Sequence, residues 1–200
     1  IHIAIKNKFH DTALYLIASG IDCNIRNKEK STILHLAAKN DMPNLIPIII
    51  ENGVNVLDVD DDGYNAFHYA ITQKNTQSVM ALLSHDKSLV NIAVCSGDND
   101  SEGPLHLAAN NGDLEIIQLL IDKGANEMYK DKYNQTYAVS AAKQTNLNLF
   151  KFVWERMVSK NEEQVKQMVF NSAVYNRINN IKFLFEQNIS VGSINHHGFP

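Results

Sequence analysis

Residues 103–125 read Gly103-Pro104-Leu105-His106-Leu107-Ala108-Ala109-Asn110-Asn111-Gly112-Asp113-Leu114-Glu115-Ile116-Ile117-Gln118-Leu119-Leu120-Ile121-Asp122-Lys123-Gly124-Ala125. Leu114, Ile117, Leu120 and Ile121 fall at helical spacing, and Gly124 stands where a helix C-cap belongs. The same segment recurs along the chain. His2, His35, His68 and His106 each open a run of His, any residue, Ala and a small or aliphatic residue, at spacings of 33, 33 and 38. Further steps reach Val139-Ser140-Ala141-Ala142 and Phe170-Asn171-Ser172-Ala173, where the His is gone and the small pair persists.

A second landmark keeps phase with the first: Gly20, Gly53 and Gly124 lie eighteen residues after their histidines, with Asp86 in that place after His68. Each unit therefore holds two short helices. After the cap come Asn- and Asp-rich stretches such as Asp22-Cys23-Asn24 and Asp60-Asp61-Asp62-Gly63, the chemistry of turns, so each unit ends in a hairpin-like loop.

These residues resemble the ankyrin repeat, whose pattern is close to G-x-T-P-L-H-x-A-A-x-x-G-x-L-E-x-V-x-L-L-x-x-G-A. Ser31-Thr32-Ile33-Leu34-His35 and Asn65-Ala66-Phe67-His68 repeat it with substitutions, and Thr136-Tyr137-Ala138-Val139 and Gln167-Met168-Val169-Phe170 diverge further. The resemblance implies an all-α repeat solenoid of stacked helix-turn-helix units with hairpin-like loops. Unit bounds are expected at 1–27, partial, then 28–59, 60–94, 95–131, 132–163 and 164–194, with 195–200 opening another unit. On this reading both ends are cut through repeats of a longer protein.

A helix pair of this size cannot bury its apolar face alone, so stacking on neighbours supplies the favourable free energy unit by unit. Residues at the ends of the stack, Ile3, Ile5 and Leu14 on one side and Val174, Phe185 and Phe199 on the other, are expected to meet no further unit. Pro47 would remove a ladder bond in a helix interior, which predicts a kink or a late start to its helix. Five extra residues in the 38-residue step predict an enlarged loop at Cys95–Glu102, and Met157 in the place of a cap glycine predicts a helical join over Val158–Gln164.

Composition narrows the function. Eighteen Lys and Arg against twenty-two Asp and Glu give a net charge of −4, without the basic excess that tracks nucleic-acid phosphates. The aliphatic run Leu45–Ile50 is interrupted by Pro47 and far shorter than the ~20 residues a bilayer crossing needs. Two cysteines, Cys23 and Cys95, make neither a disulfide framework nor a zinc signature, which fits a reducing, cytoplasmic setting, or a host's cytoplasm for a secreted effector.

The recurring histidines are spread along the stack and cannot share a metal, so they are expected to bridge adjacent loops by hydrogen bonds. His196-His197 is weak evidence for a metal. Asp98-Asn99-Asp100-Ser101-Glu102-Gly103 begins like a calcium loop, but Ala109 stands at the twelfth position, where a bidentate Glu is required. With no phosphate loop, nucleophile elbow or Cys-His pair, no catalytic residue, cofactor or metal is expected.

The loop tips remain, read in order along one edge. Arg26 and Lys28 make the first tip basic, Asp60, Asp61 and Asp62 with Tyr64 make the second acidic, Asp98 and Asp100 extend the acid, and Tyr129, Lys130, Lys132 and Tyr133 form the fourth. Tyrosines at polar tips suggest interface anchors. The expectation is a protein-interaction module that binds a partner, one with a basic segment, on the concave face formed by tips and first helices. Its alternative is a regulatory or targeting arm of a larger enzyme, channel or pathogen effector. A triple charge reversal at Asp60, Asp61 and Asp62 is expected to weaken binding with little change in thermal stability.

Overall fold

The computed structural model describes residues 1–94, 101–157 and 162–189. Twelve α-helices and no strand occur among them: α1 (His2–Lys6), α2 (His10–Ala18), α3 (Ile33–Lys39), α4 (Leu45–Glu51), α5 (Ala66–Thr72), α6 (Thr76–His85), α7 (Pro104–Asn110), α8 (Leu114–Asp122), α9 (Tyr137–Ala142), α10 (Leu147–Arg156), α11 (Glu162–Val174) and α12 (Ile178–Glu186). They form antiparallel pairs in chain order. The odd-numbered helices pack in sequence from α1 to α11, and α2, α4 and α6 make a second row behind them, continued by α10 on α12. One continuous apolar core runs between the rows, from Ala4 and Ile5 through Phe67 and Leu120 to Trp154 and Leu184.

The local signals explain where the chain bends. Gly20, Gly53 and Gly124 adopt φ of +78°, +85° and +93° after α2, α4 and α8, the left-handed conformation that ends a helix at least steric cost. The turns inside five of the six pairs also have a left-handed residue at one register, namely Lys8, Asp41, Lys74, Gly112 and Asn176, the α9–α10 turn being the exception. Asp86, in the glycine's place after α6, is extended instead, and its Oδ1 accepts the Ser88 N–H to open a 3₁₀ turn over Lys87–Asn91. Pro47 sits at the third position of α4, within the first turn, where its missing N–H is one that the helix leaves unpaired. The late start predicted from Pro47 is what forms.

The expected enlarged loop falls largely on residues 95–100, outside the described residues, but its base is closed by Val94 N–H donating to the Glu102 carbonyl at 3.0 Å. The join expected over Val158–Gln164 also lies partly outside them, and α11 begins at Glu162. At the ends of the stack Ile3, Val174 and Phe185 are exposed, as expected, whereas Ile5 is fully buried because it faces the core between α1 and α3. Phe199, His196 and His197 lie outside the described residues.

Candidate interaction surface

The histidines set the geometry of the tips. Nδ1 of His35 accepts the Thr32 N–H at 3.1 Å, and Nδ1 of His68 accepts the Asn65 N–H at 3.2 Å, so the ring proton resides on Nε2. From there it reaches the next loop: His35 Nε2 to the Tyr64 carbonyl at 3.1 Å, His68 to Ile92 at 2.8 Å and His106 to Gln135 at 2.9 Å, with His2 to Ser31 at 3.3 Å. Burial holds both rings neutral, lowering the pKa of His35 and bringing that of His68 down to about 4. The expected loop bridging is observed. His106 departs in one respect, because its N-cap is Gly103 and its buried Nδ1 has no hydrogen-bond partner among the described residues.

A second ladder was not anticipated. Asn75 Nδ2 donates to the carbonyls of Ala38 and Lys39, Asn111 to those of Ile71 and Thr72, and Asn180 to those of Ala142 and Gln144. Each ties one pair to carbonyls at or just past the C-terminal end of the preceding first helix. These three Asn lie 36 and then 69 residues apart, at different places in their turns, so no in-phase spacing in the sequence signalled them.

The tips are folded by their own Asx residues. Asn27, Asp60 and Asp131, in the same register, each accept two backbone N–H groups of their loop through one side-chain oxygen. Asp60 is only 6% exposed, and its second oxygen takes the Tyr69 hydroxyl at 2.6 Å and the Ser31 hydroxyl at 3.5 Å. Burial and this carboxylate push the Tyr69 phenol up. Asp60 is thus a folding residue of the tip, which corrects the expectation that its reversal leaves stability unchanged.

The alternating charge of the first two tips is largely satisfied within the chain. Arg26 pairs with Asp58 at 2.8 Å and donates to the Val59 carbonyl at 3.1 Å, Lys30 pairs with Asp61, and the Asp61 N–H donates to the Glu29 carbonyl. Lys28 and Asp62 are exposed, with no ion-pair partner among the described residues. The tyrosines differ from expectation too. Tyr64 is half-buried against His68 and Tyr69, with ring centroids 5.8 and 5.5 Å away, and Tyr129 lies edge-on to His106 at 5.8 Å while donating its hydroxyl to the Ser101 carbonyl. Packing does need these two. Tyr133 is 60% exposed with Lys132 over its ring at 5.1 Å, and Lys130 donates to the Asn134 side chain. Asp98 and Asp100 lie outside the described residues.

Beyond the tips, Glu127 receives Arg156 through both oxygens, at 2.7 and 2.9 Å, and the Tyr137 hydroxyl at 2.8 Å. The guanidinium holds the Glu127 carboxyl below the usual range. This network fastens the end of α10 to the preceding loop.

Between the first two tips and helices α1, α3 and α5 lies a depression of about 420 Å³. Three rows of side chains line it, each repeating at 33-residue steps. Glu29 and Asp62 form an acidic row on the tip side; Ile3, Leu36 and Tyr69 form an apolar row; Lys6 and Lys39 form a basic row on the helix side. Lys39 Nζ lies 4.8 Å from the centroid of the Tyr69 ring. Among the described residues no three or more His, Cys, Asp or Glu are grouped to hold a metal ion, and no helix is long and apolar enough to cross a membrane.

A family model described as ankyrin repeats in three copies matches residues 1–94, 85–164 and 105–195, covering nearly the whole chain in overlapping spans. The chain belongs to the ankyrin-repeat family. Ankyrin repeats are in general non-catalytic protein–protein interaction modules. Among curated ankyrin-repeat relatives, a fowlpox virus ankyrin repeat protein is 30% identical over 120 residues, 60% of this chain and 35% of that protein. The transient receptor potential cation channel subfamily A member 1 homolog of Caenorhabditis elegans is 22% identical over 173 residues, 84% of this chain and 14% of its own length. Phosphocholine transferase AnkX of Legionella pneumophila is 26% identical over 135 residues, 66% of this chain and 14% of its own length. The chain thus spans between 14% and 35% of these relatives.

Proposed function

We propose that this ankyrin array docks a partner protein on its concave side, through the loop tips and the first helices. The observation that carries this reading is the depression over α1, α3 and α5, where exposed charged and apolar side chains line a concavity built on rigid helices. Within the proposed contact set, Lys28, Asp62, Lys130, Lys132 and Tyr133 are exposed and meet the partner, Arg26 and Asp61 take part as members of the paired seam, and Asp60, Tyr64 and Tyr129 hold the tips in shape. Asp98 and Asp100, outside the described residues, complete the proposed contact set. The partner brings a basic segment to the acidic tip row; nucleic acid is not its target, and this segment does not insert into a membrane. No catalytic role belongs to this reading, and its setting is cytoplasmic, or a host's cytoplasm for an effector.

Hydrogen exchange of the array with and without its affinity-purified partner tests the proposal. Protection in α1, α3, α5 and the tips is expected. Protection confined to α2, α4 and α6 would place the partner on the opposite face and refute it.

A second reading is favoured by coverage: the array is the regulatory or targeting arm of a larger protein, since the match takes up 14% of a channel homolog and 14% of a transferase. The two readings are compatible, and replacing the array in the parent protein by an unrelated ankyrin array separates them. Loss of regulation or targeting supports the arm.

A further inference from the structure

The depression is built with an order that the proposed docking function alone does not require. Where neighbouring tip charges can meet, this chain pairs them, as Arg26 with Asp58 and Lys30 with Asp61. Glu29 and Asp62 on one side and Lys6 and Lys39 on the other are exposed instead, and they face each other across an apolar row without an ion pair among the described residues. Each row advances by one repeat at a time. Packed helix axes stand ~8–10 Å apart. A β-strand returns a side chain to the same side every two residues, ~6.6 Å, out of step with that spacing. A polyproline II segment does so every three residues, ~9 Å, and stays in step.

We infer that the groove takes an extended, polyproline-II-like segment of a partner protein whose basic, apolar and acidic residues alternate with a period of three. Basic side chains meet Glu29 and Asp62, apolar ones lie on Ile3, Leu36 and Tyr69, and acidic ones meet Lys6 and Lys39. A ligand carboxylate draws Lys39 off the Tyr69 ring and frees that face for an apolar or proline side chain. This rests on the docking reading and specifies the chemistry of its ligand. The basic segment of the docking reading is thereby specified as the basic row of a net-neutral segment, in contrast to a merely basic tail attracted to the acidic row alone.

The test uses two labelled twelve-residue peptides of identical composition: four copies of Arg-Pro-Glu, and a block peptide of four Arg, four Pro and four Glu. The ordered peptide is expected to bind at least about tenfold more tightly at low salt, with the gap closing as salt rises. Glu29→Lys with Asp62→Lys lowers its affinity by about tenfold, and adding Lys6→Glu with Lys39→Glu restores it, because the peptide then runs in the opposite direction. All four residues are exposed, and circular dichroism verifies that the variants fold.

Equal binding of the two peptides, indifference to the first pair of substitutions, or no saturable binding of the ordered peptide at millimolar concentration overturns the assignment. The hydrogen-exchange experiment with the natural partner is independent of this one. Protected first helices alongside a failed peptide test would leave the docking reading standing and remove only the three-residue order.

Discussion

Asp60 and Asp62 sit two positions apart in one tip and carry the same charge, yet burial gives them opposite roles. Asp60→Ala leaves two loop N–H groups and the Tyr69 hydroxyl without their acceptor, which should cost about 2–3 kcal/mol, read as a lower urea midpoint. Asp62→Lys should change stability by less than about 0.5 kcal/mol in the same assay. His68 gives a pH dependence of definite sign. Its folded pKa of about 4 lies below the ~6.5 of the unfolded chain, so the unfolded state binds the extra proton first as pH falls. The contribution of its neutral ring is complete above pH ~6.5 and disappears through pH ~4, a loss of about 3 kcal/mol from this site. Urea unfolding at pH 7, 5.5 and 4.5 measures it, and a His68→Asn variant should have a flatter profile. Lys74, exposed at φ +60°, occupies the register where Gly112 stands in the fourth pair. Lys74→Gly should raise stability by about 0.5–1 kcal/mol, the left-handed strain outweighing glycine's greater unfolded-state entropy.

At the level of helices and loops, the joints between pairs are polar and recurrent. Asn75→Ala removes both bonds from α6's N-terminus to the end of α3, and a loss of about 1–2 kcal/mol is expected in thermal unfolding, with α3 and α6 themselves intact by circular dichroism. The reading of Gly20, Gly53 and Gly124 as helix ends, of Pro47 as a late start and of the histidines as loop bridges was available in the sequence, because each is a local signal repeated in phase. The seam of Arg26 with Asp58 and Lys30 with Asp61 was not read there, although residues about one period apart are neighbours once the units stack. Tyr64 and Tyr129 were misjudged because polarity of the surrounding tip says nothing about the histidine ring each covers.

Across the whole molecule, the sequence announced a solenoid because every unit repeats the same solution to burying one apolar face. The candidate surface was legible only in outline. Which tip charges remain available depends on pairing between loops, and the three-row groove emerges only when Glu29 and Asp62, Ile3, Leu36 and Tyr69, and Lys6 and Lys39 are laid side by side. Stability should also vary along the stack. In the isolated segment of residues 1–200, amides of α1, α2 and α12, which pack on described helices on one side only, should exchange faster than those of α5, α7 and α9, which pack on both sides. Uniform protection from α1 to α12 would instead mark a single cooperative unit.

The histidine bridges all run one way, from a ring in one pair to a carbonyl in the loop that follows. Stretched by its two ends, such a chain has couplings in series, all loaded along the same direction. Under an optical trap it should lengthen as a spring and then let go link by link, each release adding about 33 residues of slack, or roughly 110 Å.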